Sequence, residues 1–306
     1  MINIHTTYEN LPESAKNKVV IIGNFDGVHK GHQALIKTAK QITTEKNLEI
    51  ALLTFEPHPR QLFRPDDPLN RLTPPTLKYH RLNHEGIETI YALPFDWNFA
   101  SQSYQDFIQN ILIDGLNAAH VIIGYDFRFG QMRKGKPQHI KDAGIPTTII
   151  EKITDQTGEL YSSSRIRQLL RHGNIAAANK VLGWDWQIQG IVQKGDQRGR
   201  DLGYPTANIP LGDTIHPAYG VYAAYAQIEG DDKWHNAAIN IGIRPMFEIP
   251  EGRLEAYILD FDQDIYGKTL TVRPIKFLRG EAKFETLEEL KEQMAKDCEE
   301  TRKLLS

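Results

Sequence analysis

Cysteine is nearly absent from this sequence, which has only Cys298 among its 306 residues. An internal disulfide and a cysteine-rich metal site are therefore excluded, as is usual for a protein of a reducing compartment. Long apolar runs are missing as well, because residues 1–18 have no core of signal-peptide length and no later run approaches a membrane span. We therefore expect a cytoplasmic protein without a membrane partner.

Charge of one sign is not in excess either. The chain has 39 Asp and Glu against 36 Lys and Arg, a formal net charge of −3. A protein whose main partner is nucleic acid usually has a basic excess, so no nucleic-acid partner is expected. A phosphate site would need only local positive charge. The expected state is a monomer or a weak homo-oligomer.

The spacing of apolar residues changes after Trp184. Before it, strand-length apolar runs alternate with helical patterns, and after it strands follow one another without helices between them. A chain of 306 residues is comfortable for two domains. We predict a first domain over residues 1–183 and a second over 184–306, with the fold class α/β plus β.

The first half shows the alternation of a parallel sheet covered on both faces. Strands are predicted at residues 19–22, 48–55, 87–93, 121–124 and 146–150. One helix is predicted at residues 33–46. A second begins with Thr73 as N-cap and Pro74 at the first helical position. A third begins at Ser103, with Asp106 in the capping-box position.

The most informative stretch, residues 23–32, follows the first of these strands and reads Gly-Asn-Phe-Asp-Gly-Val-His-Lys-Gly-His. Its glycines allow a sharp turn close to a ligand, and the following helix N-terminus favours phosphate. His29 and His32 are then aimed at that ligand. A bare His-x-Gly-His arises by chance, but the preceding strand and following helix make this one specific. Asp26 is equally compatible with a simple turn-forming role.

Two further segments are expected at the same sheet edge, where ligands of such sheets bind. One is residues 124–135, with aromatic and basic side chains, and the other is the serine run Ser162-Ser163-Ser164 before Arg165-Ile166-Arg167. A single serine would be a helix cap. Three hydroxyls, fresh helix N–H groups and Arg167 together favour a polyphosphate site.

The second half is predicted to be a small antiparallel barrel with a terminal helix. Its strands are expected at residues 187–193, 221–227, 237–241, 254–261 and 270–275. Before it, a helix over residues 174–182 ends at Gly183, a plausible C-cap. After it, Thr286 and Glu289 form a capping box for the last helix.

Two strings carry a family resemblance. Residues 23–32 resemble the signature of the nucleotidyltransferase superfamily, and in full they resemble the bacterial bifunctional riboflavin kinase and FAD synthetase family. Residues 199–208, Gly-Arg-Asp-Leu-Gly-Tyr-Pro-Thr-Ala-Asn, resemble the riboflavin kinase signature, with Tyr204 where phenylalanine is common. The resemblance extends from about Lys18 to Lys296. It implies a Rossmann-like nucleotidyltransferase sheet followed by a Greek-key β-barrel.

For the first half, the resemblance implies an FMN adenylyltransferase, in which the FMN phosphate attacks the α-phosphorus of ATP. His29 and His32 would be catalytic, donating hydrogen bonds to non-bridging oxygens as charge develops. The expected ATP and phosphate ligands are Gly23, Phe25, Asp26, Gly31, Ser163, Ser164 and Arg167. Ser164 replaces a family threonine and keeps its hydroxyl. The flavin residues implied are Phe63, Asp126 and Phe129, and the two phenylalanine rings could instead fill the core.

For the second half, the resemblance implies riboflavin kinase. Thr206 and Asn208 would be oxygen ligands of Mg²⁺, the implied metal cofactor, and of the ATP phosphates. The phosphate-binding loop would use Lys194, Gly195, Gly199 and Gly203. Glu255 is the expected base for the ribityl hydroxyl, with Asp260 as its alternative.

The expected substrates are therefore ATP, riboflavin and FMN, and the flavin is substrate and product rather than a redox cofactor. Three alternatives remain. One site could be active while the other only binds flavin; the chain could be a flavin-sensing regulator; or it could be a pantetheine- or nicotinate-type adenylyltransferase. The last explains His29 and His32 but not the residues after Gly183.

Overall fold

The computed structural model describes residues 2–65, 67, 70–195, 203–244 and 251–306. The chain packs as two compact units. The first is Met1–Pro68 with Pro75–Tyr161, and the second is Leu69–Pro74 with Ser162–Ser306. The division at residue 183 follows strand periodicity, and it stays a prediction about where each activity resides.

A six-stranded parallel sheet organises the first unit. Its strands are β1 (Asn3–His5), β2 (Val19–Ile22), β3 (Ile50–Phe55), β4 (Thr89–Leu93), β5 (His120–Gly124) and β6 (Thr147–Ile150). They lie in the order β1-β4-β3-β2-β5-β6, with every neighbouring pair parallel. The predicted Rossmann-like sheet is confirmed. The winding direction reverses at β2, between β3 and β5, and such a switch point is where ligands bind.

The four central strands, β2 to β5, supply both faces of the sheet with core residues. In β2, Val20 and Ile22 pack into one apolar cluster, while Val19 and Ile21 pack into the other. All four are at most 2% exposed. Because both faces are covered, the strands are continuous apolar runs rather than alternating ones.

The helices of the first unit connect these strands. They are α1 (Lys30–Lys46), α2 (Pro59–Phe63), α3 (Pro75–His84), α4 (Trp97–Ser101), α5 (Tyr104–Asp106), which continues as the π-helical segment Phe107–Gly115, and α6 (Pro137–Asp142). The Ser103–Asp106 capping box is confirmed. Two starts differ from prediction: α1 begins at Lys30 rather than Gln33, because the turn ends at His29, whose backbone is extended. Helix α3 begins at Pro75, one residue later than predicted.

Among its described residues, the second unit is a nearly closed antiparallel barrel with helices before and after it. Its elements are α7 (Ser163–Arg171), α8 (Ile175–Leu182), β7 (Ile188–Ile191), β8 (Ala207–Pro210), β9 (Gly220–Ile228), β10 (His235–Arg244), β11 (Glu251–Ile258), β12 (Thr269–Gly280) and α9 (Leu287–Leu305). The strand order is β7-β12-β9-β10-β11-β8. The return of β12 beside β9, next to β10 and β11, is the predicted Greek key. The two edges meet where the Gln193 amide donates to the Asn208 carbonyl at 2.8 Å.

A short segment from the first half of the sequence belongs to this second unit. Arg71 forms a parallel bridge with Thr214. The indole N–H of Trp186, which is fully buried, donates to the Leu72 carbonyl at 2.9 Å. A buried indole N–H needs such a partner, so residues 70–74 complete a core built otherwise from residues after 161.

The terminal helix α9 is capped by Thr286 as predicted, and Thr301 lies on its buried side. The helical spacing also predicts one stripe of Leu287, Leu290, Met294, Cys298 and Thr301, and this prediction is only partly correct, because Leu287 is 61% exposed. Asp297 is buried instead, and the Arg279 guanidinium forks onto it at 3.0 and 2.7 Å. The bidentate pair compensates the carboxylate for the loss of water.

Candidate active sites

The turn after β2 has a strained backbone held by packing. Phe25, Gly27 and Val28 all have positive φ, at 52°, 87° and 40°. A branched residue such as Val28 rarely adopts this conformation, and strain of this kind tends to occur at functional sites. The side chains of Phe25 and Val28 are buried to 1% and 0% exposure, so the core enforces the turn. Asp26 lies within it, 6% exposed.

The two imidazoles stack on each other beside this turn. The His29 and His32 ring centroids are 3.7 Å apart, and the opposite face of His32 lies 4.4 Å from the Phe25 ring. Burial, then His29, then Lys78 lower the pKa of His32 well below its usual value. His32 is therefore neutral near pH 7, and its buried Nδ1 has no hydrogen-bond partner among the described residues.

Two glycines of the turn are required by the ring positions. A Cβ on Gly31 would lie 2.9 Å from His29 Cε1 and 3.1 Å from the Tyr161 carbonyl oxygen. On Gly23 it would lie 3.1 Å from the Phe25 ring. The glycines thus allow the imidazole stack to sit directly on the backbone at the start of α1.

A cleft of about 920 Å³ in the first unit includes all three residues implied for flavin binding. Phe63 is 56% exposed and stands edge-on to Trp97 at 5.8 Å. Asp126 follows β5 and is exposed. Phe129 is only 6% exposed, because its ring packs against Phe107 and Phe127. Phe63 thus offers a free ring, whereas Phe129 mainly supports the cleft wall.

The segment 124–135, which was predicted at this sheet edge, contributes Phe127, Arg128 and Arg133 to the cleft, but sequence reasoning missed most of the remaining lining. Its further aromatic residues are Phe55, Phe95, Trp97, Phe99, Phe107 and Phe127, and its arginines are Arg60, Arg64, Arg128 and Arg133. Arg60 and Arg64 pair with Asp67, and Arg60 lowers the pKa of that carboxyl. In the described part of the chain Arg128 and Arg133 pair with no carboxylate. An aromatic cleft with arginines suits a planar ring that carries a phosphate.

Lys78 and Glu56 were missed as well. Lys78 is 3% exposed on α3, and its Nζ lies 2.5 Å from Glu56 Oε1. The available signal was a lysine beside Leu77 and four residues before Leu82, in the apolar stripe of a predicted helix. A lysine there requires a buried partner, which the sequence did not identify.

The serine run lies at the start of α7, in the second compact unit. Ser162 is the helix cap and accepts a hydrogen bond from the Arg165 amide at 3.2 Å. Ser163 and Ser164 follow as the first helical residues. The Arg167 Nε donates to the Asn70 carbonyl at 2.7 Å. A common phosphate site of these residues with the imidazoles stays a prediction.

A second cleft of about 280 Å³ lies in the barrel and is lined by Gly195, Thr206 and Asn208. Asn208 is 5% exposed, and its side-chain amide donates to the Thr206 carbonyl at 3.2 Å. A Cβ on Gly195 would lie 2.6 Å from Asn208 Nδ2. The backbone of the loop entrance therefore touches the Asn208 amide directly.

Glu255 lies on β11 directly opposite Asn208 on β8 and Asn240 on β10. Directly opposed residues of an antiparallel sheet share a face, so these three polar side chains form one row. Leu254 and Ala256 on either side are buried, and Glu255 is half-buried. The Arg253 guanidinium approaches Asn208 Oδ1 at 3.5 Å.

The other residues predicted for the barrel site are Lys194, Gly199, Gly203 and the alternative base Asp260. Lys194 Nζ lies 5.9 Å from the Tyr266 ring centroid. Gly203 is exposed with a φ of 86°. Gly199 lies outside the described residues. Asp260, the alternative base, is ion-paired with Arg302, which lowers its pKa.

The barrel cleft offers oxygen atoms rather than a carboxylate cage. Within the described ranges, no group of three or more His, Cys, Asp or Glu side chains could hold a metal ion. Mg²⁺ commonly takes one or two protein ligands together with phosphates and water. The Thr206 and Asn208 oxygens fit that ion when phosphates complete its shell.

No helix among the residues described here is long and apolar enough to cross a membrane.

Comparison with known proteins covers both halves. A family model described as FAD synthetase matches residues 11–165, and one described as riboflavin kinase matches residues 182–305. The bifunctional riboflavin kinase/FMN adenylyltransferase of Bacillus subtilis is 40% identical over 98% of this chain and 97% of its own. That of Escherichia coli K12 is 37% identical over 91% and 90%.

Among solved structures, a crystal structure described as a macrolide-efflux protein from Streptococcus pneumoniae is similar over nearly the whole chain. It has a TM-score of 0.87 and 33% identity, and it covers 98% of each chain. Both compact units therefore occur together in a relative of known structure.

Proposed function

Because this chain belongs to the bifunctional riboflavin kinase/FMN adenylyltransferase family, we propose how its two activities are divided between the two clefts. The enzyme phosphorylates riboflavin with ATP to give FMN, and it then joins FMN to the adenylyl group of a second ATP to give FAD and pyrophosphate. Adenylylation is assigned to the cleft of the first unit and phosphorylation to the barrel.

In adenylylation, a phosphate oxygen of FMN attacks the α-phosphorus of ATP while the bond to the pyrophosphate oxygen breaks. The protein's task is positioning and charge stabilisation. His29 and the neutral His32 donate N–H groups to non-bridging oxygens as their charge grows. The stacked rings and the low pKa of His32 support this role, because His32 then does not take up a proton from solvent near neutral pH.

The residues proposed to bind ATP and its phosphates are those that the family resemblance implies. The proposed ligands are Gly23, Phe25, Asp26, Gly31, Ser163, Ser164 and Arg167. The helix N–H groups and hydroxyls at Ser163 and Ser164 suit the departing pyrophosphate. Arg167 adds positive charge there as negative charge moves onto the leaving group.

The isoalloxazine ring of FMN is proposed to bind in the 920 Å³ aromatic cleft. Phe63, whose ring is exposed, would stack on it, and Asp126 would accept a hydrogen bond from the ring edge. Phe129 would support the wall. Arg128, which has no carboxylate partner in the described part of the chain, is placed to bind the FMN phosphate.

In the barrel, Glu255 is proposed as the base that takes the proton of the ribityl hydroxyl as its oxygen attacks the γ-phosphorus. Thr206 and Asn208 would hold Mg²⁺, which when bound neutralises phosphate charge. The row of Glu255 and Asn208 on adjacent strands supports both assignments. Lys194, Gly195, Gly199 and Gly203 would contact the phosphates.

The observation that carries the proposal is the presence of both family matches and both clefts in one chain. The test is to incubate the pure protein with riboflavin, ATP and Mg²⁺ and to separate the flavins over time. FMN appearing before FAD is the expected result. FMN alone would mean that the first cleft only binds flavin, and no conversion would favour a flavin sensor.

The same time course with two variants tests the division. His32→Ala should lower FAD formation by orders of magnitude while FMN accumulates, whereas Glu255→Gln should stop FMN formation but still convert supplied FMN to FAD. Equal loss of both activities in either variant would contradict separate sites.

The proposal also places the enzyme in the cytoplasm with small-molecule partners. It is proposed to be a monomer or weak homo-oligomer, and sedimentation of the pure protein would check this oligomeric state.

A further inference from the structure

A buried lysine lies behind the turn of the first unit. Lys78 is 3% exposed, and its Nζ lies 2.5 Å from Glu56 Oε1, 3.3 Å from Thr54 Oγ1 and 3.4 Å from the Asn24 carbonyl oxygen. Removing an ammonium group from water costs several kcal/mol unless charge and hydrogen bonds replace the water. Here a carboxylate, a hydroxyl and a carbonyl do so.

The three acceptors come from two neighbouring strand ends. Thr54 and Glu56 lie at the carboxyl end of β3, and Asn24 is the second residue of the turn after β2. Thr54 Oγ1 also donates to the Asn24 carbonyl, at 3.4 Å. Lys78 on α3 therefore ties the point where the turn leaves β2 to the adjacent strand.

The tie lies next to the imidazole stack. Asn24 immediately precedes Phe25, whose ring stacks on His32. The charge of Lys78 also acts on His32, where it is the third cause of the lowered pKa after burial and His29. One side chain thus influences both the backbone position of the turn and the charge state of an imidazole in it.

We propose that Lys78 is a positioning residue for FMN adenylylation, holding the Asn24 carbonyl and the Glu56 carboxylate so that the turn carrying His29 and His32 keeps one geometry. Lys78 acts through these groups and does not contact the reacting atoms. The proposal rests on the role given above to the two histidines.

A buried lysine could serve stability alone, and the same sheet contains a matched control. Lys18 is also 3% exposed and pairs with Glu49. It precedes β2 at the amino end, opposite to the turn. Lys18→Met removes the same type of group from the same sheet without touching the turn.

The experiment compares Lys78→Met, Lys78→Arg and Lys18→Met in the full chain. FAD formation from supplied FMN is measured with FMN formation from riboflavin, which reports on the second unit, and circular dichroism reports whether the first unit is folded. A shift of the turn by a few tenths of an ångström to one ångström costs about ten- to a hundred-fold in rate. We therefore expect Lys78→Met to lower kcat for FAD formation by about that factor, with Lys78→Arg intermediate and Lys18→Met unchanged.

A spectroscopic readout separates positioning from stability. In imidazole NMR spectra, the pKa of His32 should rise in Lys78→Met and stay as in the wild type in Lys18→Met. His120, whose pKa burial also lowers, should not change in Lys78→Met. If Lys78→Met does not fold, Thr54→Val, which removes one hydrogen bond to Asn24, should lower FAD formation and leave FMN formation intact; a wild-type rate would overturn the proposal.

The controls distinguish failure of this inference from failure of the site assignment. If His32→Ala still makes FAD, the role of the turn is wrong. If His32→Ala makes none but Lys78→Met behaves like Lys18→Met in rate and in His32 titration, only the positioning role of Lys78 is overturned.

Discussion

Gly31→Ala is the most direct test of the imidazole stack. The added Cβ would lie 2.9 Å from His29 Cε1 and 3.1 Å from the Tyr161 carbonyl oxygen. Ordinary contact begins at 3.4 Å, so the ring must move by about 0.5 Å, the difference between 3.4 and 2.9 Å. The carbonyl is backbone and yields less readily than the ring, so the ring is expected to move.

The expected loss is in activity rather than folding. A misplacement of about 1 Å costs about a hundred-fold in rate, so about half of that displacement costs about tenfold, equivalent to about 1.4 kcal/mol of activation free energy. Folding stability changes little, because alanine favours helix over glycine by about 1 kcal/mol, and this gain offsets the steric cost at this position in α1. FAD formation should therefore fall about tenfold while the thermal midpoint changes little.

The assay measures FAD from supplied FMN and, in the same preparation, FMN from riboflavin. The kinase rate should equal that of the wild type. Gly280→Ala is the matched control, because a Cβ there meets no atom within 4 Å. A wild-type rate of FAD formation in Gly31→Ala would refute the claim that the position of His29 matters.

Three further outcomes follow from the two sites. Gly195→Ala, whose Cβ would lie 2.6 Å from Asn208 Nδ2, should stop riboflavin phosphorylation but keep FAD formation from FMN; loss of both would indicate general unfolding. Arg128→Met should raise KM for FMN in FAD formation and leave the KM for riboflavin unchanged, and an unchanged KM for FMN would show that Arg128 does not bind the phosphate. Because the pKa of His32 is held below its usual value, the unfolded chain binds a proton below pH of about 6.5 that the folded chain does not. Stability should thus fall as the pH is lowered from 7 to 5, and denaturation of His32→Phe should show a shallower fall; equal slopes would contradict the lowered pKa.

Much of the fold could be predicted because it depends on local patterns. The apolar run of β2 has the composition of a strand buried on both faces, and the capping residues Ser103 and Thr286 were visible from their neighbours. Strand β8 was missed, because Ala207–Pro210 is only four residues long and its pairing with β11 depends on residues more than forty positions away.

The site was predictable to a similar extent. The glycines and histidines of residues 23–32 lie within one stretch of ten residues, so their chemistry could be inferred together. The partners of Lys78, which are Asn24, Thr54 and Glu56, lie 54, 24 and 22 residues away. No local spacing could associate them, and the same holds for most aromatic residues of the first cleft.

By itself, the sequence determined that this protein has a parallel α/β half and an antiparallel half, that a glycine-rich turn brings His29 and His32 to a strand end, and that the chain belongs to a flavin-synthesising family. These features depend on residue order within short segments, where backbone sterics and hydrophobic period act directly. Only the tertiary structure decided that Asn208 faces Glu255, that residues 70–74 complete the core around Trp186, and that Lys78 is buried against Asn24. Those contacts join segments distant along the chain, and burial of apolar surface, which is non-directional, determines which of them meet.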